Sequence, residues 1–232
     1  MKIAIMQPYI FPYIGYFQLV HAVDTFVILD DVNYINKGWI NRNNILVNQS
    51  AYLFTIPLEE ASQNKRINEI YVADKMKWRT NFLRTIEQSY KKAPFYHQVF
   101  PLIQDIINSD NPQISSLNHY ALLKLGEYIG LDTKIISSSS KYDNRDLKAQ
   151  SRIIDICLKE KASTYINPIG GTELYDRQTF ADKNLELYFL KTGAIAYPQF
   201  NLDFIPGLSI IDVMMFNDIE TIQDYLNRYE LL

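Results

Sequence analysis

The sequence predicts an α/β fold of three layers, a mostly parallel sheet with helices on both faces, and three features carry that prediction. Short apolar runs alternate with amphipathic stretches of helical period along most of the 232 residues. Alternation at these lengths favours a parallel sheet buried on both sides. The N-terminal segment packs strand, loop, helix and strand into roughly 30 residues, the size of a βαβ unit. A hydrophobic fraction of 47% supplies enough apolar side chains for a sizeable core. At this length one domain spanning 1–232 is expected.

Lys2–Met6 is an apolar run stopped by Gln7-Pro8 and reads as a buried strand. Pro8 and Pro12 hold off a helix until about Pro12, which suits a first helical turn. Ile14–Ala22 is then helical, and Asp24 ends it. Thr25–Leu29 is β-branched and apolar, a second strand halted by Asp30-Asp31. The polar segment Asn33–Asn48 reads as a loop and Tyr52–Pro57 as a strand. Trp78, Phe82, Leu83, Ile86 and Tyr90 recur at helical spacing, and Pro94 and Pro101 punctuate the segment after them. Leu117, Tyr120, Ala121, Leu125 and Tyr128 mark a helix closed by Gly130. Strands at Thr133–Ser137, Thr164–Asn167 and Leu185–Leu190 then alternate with helices at Asp146–Lys161, Leu208–Phe216 and Ile219–Tyr229.

Composition narrows the function classes. A net charge of −3 disfavours non-specific nucleic-acid binding. The single cysteine, Cys157, excludes an intrachain disulfide and a multi-cysteine zinc site. It shares a stripe with Ile153, Ile154 and Leu158, the setting of a buried, inert thiol. His21, His97 and His119 are scattered, so no metal site is expected from local spacing, and no Ser, Cys or Asp stands beside any of them in an arrangement of diagnostic spacing. No stretch reaches the roughly 18 apolar residues of a membrane span, and Ile3–Met6 is too short for the core of an export signal. A soluble, cytoplasmic protein with no membrane partner is the expectation. Walker, GxGxxG, HExxH and GxSxG signatures are missing from the sequence.

Four segments carry chemistry. Met6–Phe17 follows the first strand, where ligands of open α/β sheets bind. Its helix start would favour an anion, Gly15 would let a ligand approach the backbone, and Gln7, Tyr9, Tyr13 and Tyr16 offer hydrogen bonds. The competing reading has the tyrosines capping a core and the prolines shaping a turn. Asp30–Leu46 combines two carboxylates with Lys37, Trp39, Asn41, Arg42 and Asn43, a recognition-loop composition. Lys37 and Arg42 can hold a phosphate or carboxylate, and Trp39 can stack on a base or sugar. Asp30 and Asp31 could bind hydroxyls or a divalent ion, yet neighbours on a strand face opposite ways, so one is structural. In Asn167–Asp176, the residues Asn167, Gly170, Gly171 and Thr172 either cradle a phosphate or turn the chain. In Ala196–Asn217, Ser209 reads as a helix cap with Asp212 as an imperfect capping-box partner. Tyr197, Gln199 and Phe204 there wall a cleft or pack a core.

Taken in order and spacing, QPYIFPYIGYF, DDVNYINKGWINRN, YINPIGGTELYD and LSIIDVMMF resemble the WbqC-like family over essentially the whole chain. The resemblance implies a role in bacterial O-antigen or other surface-polysaccharide synthesis, without a settled reaction or transferable catalytic residues. Pro12–Tyr16 is also similar in position to the Pro-x-His-x-Gly-His signature of HIGH-type nucleotidylyltransferases, which implies a nucleotidylyltransferase-like (HUP-type) N-terminal βαβ unit. Here Tyr13 and Tyr16 replace both histidines and carry no positive charge near neutral pH. Ser137–Ser140 only loosely echoes the late serine motif of those enzymes, since Arg145 is the first arginine after it.

Three functions compete. The leading one is a transferase that modifies a nucleotide-linked amino sugar by acylation or aminoacylation, with Asp30, Asp31 and Tyr13 as catalytic candidates and a tRNA or acyl carrier as an admissible partner. The second is a nucleotidyltransferase, which alone would need magnesium, at Asp30 or Asp31. The third is a non-catalytic nucleotide-sugar binder.

Overall fold

In the computed structural model, which describes residues 1–73, 77–200 and 203–232, the first apolar run forms a central strand, β1 (Lys2–Met6). There follow α1 (Ile14–His21), β2 (Thr25–Ile28), β3 (Arg42–Val47), β4 (Ser50–Thr55), β5 (Leu58–Glu59), β6 (Tyr71–Val72), α2 (Trp78–Tyr90), α3 (Tyr96–Asn108) and α4 (Ile114–Ile129). The second half contributes β7 (Lys134–Ile136), α5 (Ala149–Lys159), β8 (Thr164–Pro168), α6 (Arg177–Ala181), β9 (Glu186–Thr192), α7 (Ile210–Phe216), α8 (Ile219–Leu226) and β10 (Tyr229–Leu231).

The main sheet has six strands in the order β10-β9-β8-β1-β2-β7. All neighbours are parallel except β10, which runs antiparallel to β9 at the edge. The chain builds outward from β1 through β2 to β7, then crosses back to add β8 and β9 on the other side. The order therefore reverses between β1 and β8, the doubly wound arrangement in which ligands gather at the carboxyl edge.

Strand pleating divides the core. Ile3, Ile5 and Val27 point to one face, where they pack with Ile153, Ile156 and Cys157 of α5 and Phe180 of α6. Ala4, Phe26 and Ile28 point to the other, against α1, α4 and α8. The three layers follow from this alternation. The segment between β2 and β7 is a long excursion built of two hairpin-like pairs and helices α2 to α4, and it packs on the α1 side.

Several elements differ from the sequence reading. Asn33–Asn48 is not all loop: Arg42–Val47 pairs with Ser50–Thr55 as an antiparallel hairpin. Its turn residues Asn48 and Gln49 both have positive φ, 47° and 64°, the backbone of a type I′ turn. Gln49 sits where glycine is usual, which hid the turn. Helix α3 runs through Pro101, because Val99, Ile103, Ile106 and Ile107 bury one face and outweigh the single lost backbone bond. The chain after α8 forms edge strand β10 instead of extending the helix, and the short strands β5 and β6 and helix α6 gave no periodic signal. Of the segment 196–217, Asn201 and Leu202 lie outside the described residues.

Two consequences can be measured. Gln49→Gly removes a side chain from the left-handed region and should stabilise the fold by about 0.5–1 kcal/mol in urea titration. Cys157 is buried and its thiol is pushed up to about 12 by burial, so native labelling by a thiol reagent should be slow. Rapid labelling without unfolding would contradict that placement.

Candidate functional site

Strand β2 ends at Ile28, and the pleat carries on for three more residues: Leu29 packs with the α5-side core, Asp30 turns to the α4 side and Asp31 to the α5 side. Both carboxylates are almost fully buried. Each therefore draws hydrogen-bond donors, with Asp31 Oδ2 the one oxygen of the pair that has none among the described residues. Asp30 Oδ2 accepts from Ser115 Oγ of α4 at 2.7 Å, and Oδ1 accepts from Ser138 Oγ at 2.6 Å and Ser139 N at 3.3 Å. Asp31 Oδ1 accepts from Arg152 Nη2 of α5 at 2.6 Å and from Ser139 Oγ. Ser139 thus joins the two carboxylates, one through its backbone and one through its hydroxyl. The serine run after β7 serves carboxylates here, so its echo of a phosphate motif does not hold.

On the α4 side, Asp30 lines a polar cavity of about 300 Å³ with Asn68, Gln113, Ser115, Ser116, His119, Ser137 and Ser138. Ser115 and His119 are one helical turn apart and so share a face of α4. Burial holds the His119 imidazole below its ordinary range, opposed by the Asp30 carboxylate. Burial raises Asp30, and the serine hydroxyls offset part of that rise. The cavity thus combines a neutral imidazole at pH 7, a hydrogen-bonded carboxylate and hydroxyl or amide groups that can position a polar substrate.

The N-terminal motif forms an aromatic wall. Tyr9 lies 6.1 Å from Trp39 and 6.0 Å from Tyr16, centroid to centroid, and Arg42 sits 5.5 Å over the Trp39 ring. Tyr9, Tyr16, Trp39 and Arg42 therefore gather in one region of the carboxyl edge, with the Gln7 carbonyl bonded to Tyr16, the Lys37 carbonyl to Arg42, and Tyr13 packed on Gly15. Their exposure divides them. Trp39 is 48% exposed and Tyr9, Tyr13, Gln7 and Arg42 are half-buried. Lys37 is exposed, with its backbone carbonyl held by Arg42.

Other expectations are overturned by packing. Tyr16 is buried and its hydroxyl donates to the Gln7 carbonyl at 3.0 Å, so it does not face a ligand. Gly15 does not open the backbone: an added Cβ would meet the Tyr13 ring at 2.4 Å and Thr192 Oγ1 at 2.5 Å. The start of α1 is covered, since Ser209 pairs with Tyr13 and Ile210 N donates to the Pro12 carbonyl. Asn41 is buried between Tyr34 and the Ile56 carbonyl, and Asn43 ties β3 to the Phe11 carbonyl at 2.6 Å. Both hold the scaffold. Arg42 pairs with neither Asp30 nor Asp31; its Nε donates to the Gly38 carbonyl at 2.9 Å and its Nη2 to that of Lys37.

At the end of β8, Asn167 is buried beside Tyr165, and Ile169–Gly171 is a single 3-10 turn. Gly171 packs so tightly on Asn167 that a Cβ there would overlap its amide, whereas Gly170 and Thr172 face solvent. Asp212 is not a capping partner: it is buried and accepts from Tyr90, Tyr197 and Gln199 at 2.6–2.8 Å. Tyr197 and Gln199 are thereby core residues, while Ser209 does cap Ile211 N.

Sequence reasoning missed Ser115, His119, Arg145 and Arg152. Ser115 and Asp30 lie 85 residues apart, a distance no local motif spans. Arg152 did carry a signal, a charge set beside the apolar stripe Ile153, Ile154 and Cys157. Among the described residues no group of three or more His, Cys, Asp or Glu could hold a metal ion. Asp30 and Asp31 face apart, so the pair does not present both carboxylates to one magnesium ion. No helix is long and apolar enough to cross a membrane among the described residues.

The sequence model of the WbqC-like protein family matches residues 7–224. The chain is also similar to a Mycobacterium tuberculosis protein described as uncharacterized, 29% identical over 231 residues and covering 98% of each chain. No solved structure matches.

Removing the Arg42 fork should loosen the 37–38 turn and cost about 1.5–3 kcal/mol of stability. Arg42→Lys should restore little of it, because one ammonium cannot reach both carbonyls as a planar fork does. Trp39 emission reports the same event, since the other tryptophan, Trp78, is buried. Arg42→Ala with unchanged stability and unchanged emission would contradict this role.

Proposed function

Since the chain belongs to the WbqC-like protein family, we propose that it is a cytoplasmic transferase of surface-polysaccharide synthesis that acylates or aminoacylates a nucleotide-linked amino sugar. The observation that carries the proposal is the Asp30–His119 cavity at the carboxyl edge of a doubly wound sheet. Acyl transfer to an amine needs a base that is unprotonated at working pH, and a half-buried imidazole near a carboxylate meets that need.

In this reading His119 takes a proton as the sugar amine attacks the carbonyl of an ester or thioester donor. The new C–N bond forms, the acyl–carrier bond breaks, and the carrier leaves as its alcohol or thiol after accepting the proton. Asp30 favours the imidazolium formed in between. Ser115 and Ser138 hold Asp30 in place, and Asn68, Gln113 and Ser116 are placed to bind sugar hydroxyls. Tyr9 and Trp39 offer a stacking face for the base. Support for a nucleotidyltransferase is weaker, because Asp30 and Asp31 are engaged on opposite sides of the strand, by Ser115 and Ser138 and by Arg152, with Ser139 their one shared partner.

Incubation with nucleotide-linked amino sugars and a carrier-linked acyl donor should give a product heavier by the acyl group in mass spectrometry. His119→Gln should lower kcat by about 10²–10⁴-fold with little change in KM. No turnover by the parent protein across nucleotide sugars that bind it would favour a non-catalytic binder. Because the folded His119 pKa is depressed, its acid limb of activity should fall below the ordinary imidazole value of about 6.5. By the same sign, its contribution to stability is present above the unfolded pKa and lost as pH falls through the folded one. His119→Gln should flatten that part of the stability profile.

A further inference from the structure

On the α5 side of the same strand end lies a second cavity, of about 340 Å³, lined by Asp31, Val32, Asn33, Arg66, Arg145, Leu147, Lys148, Ala149 and Arg152. We propose that this cavity is a phosphoryl-binding site. Four cationic side chains converge on it against one carboxylate. Asp143 and Asp146, acidic residues of the same loop, do not line it.

The cations are held with charge to spare. Arg152 is buried and fixed at two points, Nη2 on Asp31 at 2.6 Å and Nε on Asn144 at 3.0 Å, which leaves its remaining N–H groups without a bond among the described residues. Arg145 reaches Asp31 only at 3.9 Å, and Arg66 reaches Glu69 only at 3.7 Å. Lys148 has no ion pair among the described residues. Helix α5 begins here, its first turn carries no acidic residue, and its N-cap Lys148 makes no side-chain cap. Its N-cap Lys148 and first residue Ala149 line the cavity, so the positive pole of the helix lies beside it.

A separate observation points to a ligand that also carries a hydroxyl. Asp31 Oδ2 is buried and has no hydrogen-bond partner among the described residues. A buried carboxylate oxygen without a donor is costly. A hydroxyl beside the phosphoryl group supplies one. The volume sits at the lower end of small-molecule sites, roughly 300–1,000 Å³, so it suits one or two phosphoryl groups with the rest of the ligand outside. Assigning that group to the diphosphate of a nucleotide-linked substrate rests on the proposed function; the phosphoryl site itself does not. The two cavities share the Asp30–Ser139–Asp31 wall, which would set a diphosphate on one side and the reacting amine on the other.

Inorganic pyrophosphate titrated into the protein by calorimetry tests the site. Arg145→Ala and Lys148→Ala alter exposed side chains and should keep the melting temperature while weakening pyrophosphate about tenfold or more each. Arg145→Lys should recover part of the loss. No pyrophosphate binding, or binding indifferent to both substitutions, would overturn the site even if nucleotide sugars are turned over. Binding that depends on Arg145 and Lys148 in a protein that turns over no nucleotide sugar would keep the site and remove the transferase reading.

Discussion

Everything at the carboxyl edge depends on one constraint: two consecutive carboxylates, Asp30 and Asp31, are buried where β2 runs out, and the pleat forces them to opposite sides of the sheet. Neither can be left without donors. Asp30 is satisfied by α4 and the loop after β7, and Asp31 Oδ1 by α5 and the same loop, while Asp31 Oδ2 has no hydrogen bond among the described residues. These bonds dock the long excursion onto the sheet on one side and fix the start of α5 on the other. Removing one member of a buried ion pair such as Asp31–Arg152 costs about 3–5 kcal/mol, because the remaining charge has no water to turn to. A fold places so expensive a pair only where the geometry around it must not vary.

The same divergence organises the chemistry. A single ion bridging the two aspartates would have required them side by side, and the strand denies that. Instead each carboxylate conditions a different neighbour. Asp30 sits by an imidazole that burial keeps neutral, which suits proton transfer. Asp31 orders a guanidinium while cations outnumber it, which suits an anion. The proposed base and the proposed anion site are thus set apart across the strand end, as the proposed substrate with its reactive amine and diphosphate would require.

Legibility from sequence followed the range of the interactions. β1, α1 and β2 were visible because their apolar period and proline punctuation are local, and so was the closure of α4 by Gly130, which adopts φ 76°. The hairpin β3–β4 was not, because its turn uses Asn48-Gln49 without glycine, and α3 was not, because Pro101 masks an otherwise regular buried face. At the site, the opposite facing of Asp30 and Asp31 follows from strand period alone. The partners that each one faces do not, since Ser115 and Arg152 arrive from elements far along the chain. The first two motifs misled in a physical way. Tyr16, Asn41 and Asn43 are polar because they satisfy backbone carbonyl groups in a tightly packed region, and polarity in sequence does not tell a ligand from a carbonyl.

A crystal structure of the protein soaked with a nucleotide-linked amino sugar tests the divided carboxyl edge most directly. The diphosphate is expected against Arg145, Lys148 and Arg152, and the sugar amine within hydrogen-bond reach of His119, with the strand end at Asp30-Asp31 between them. Ligand density seated elsewhere, for instance between the loops that follow β1 and β8 with both sides of the β2 end empty, would contradict it.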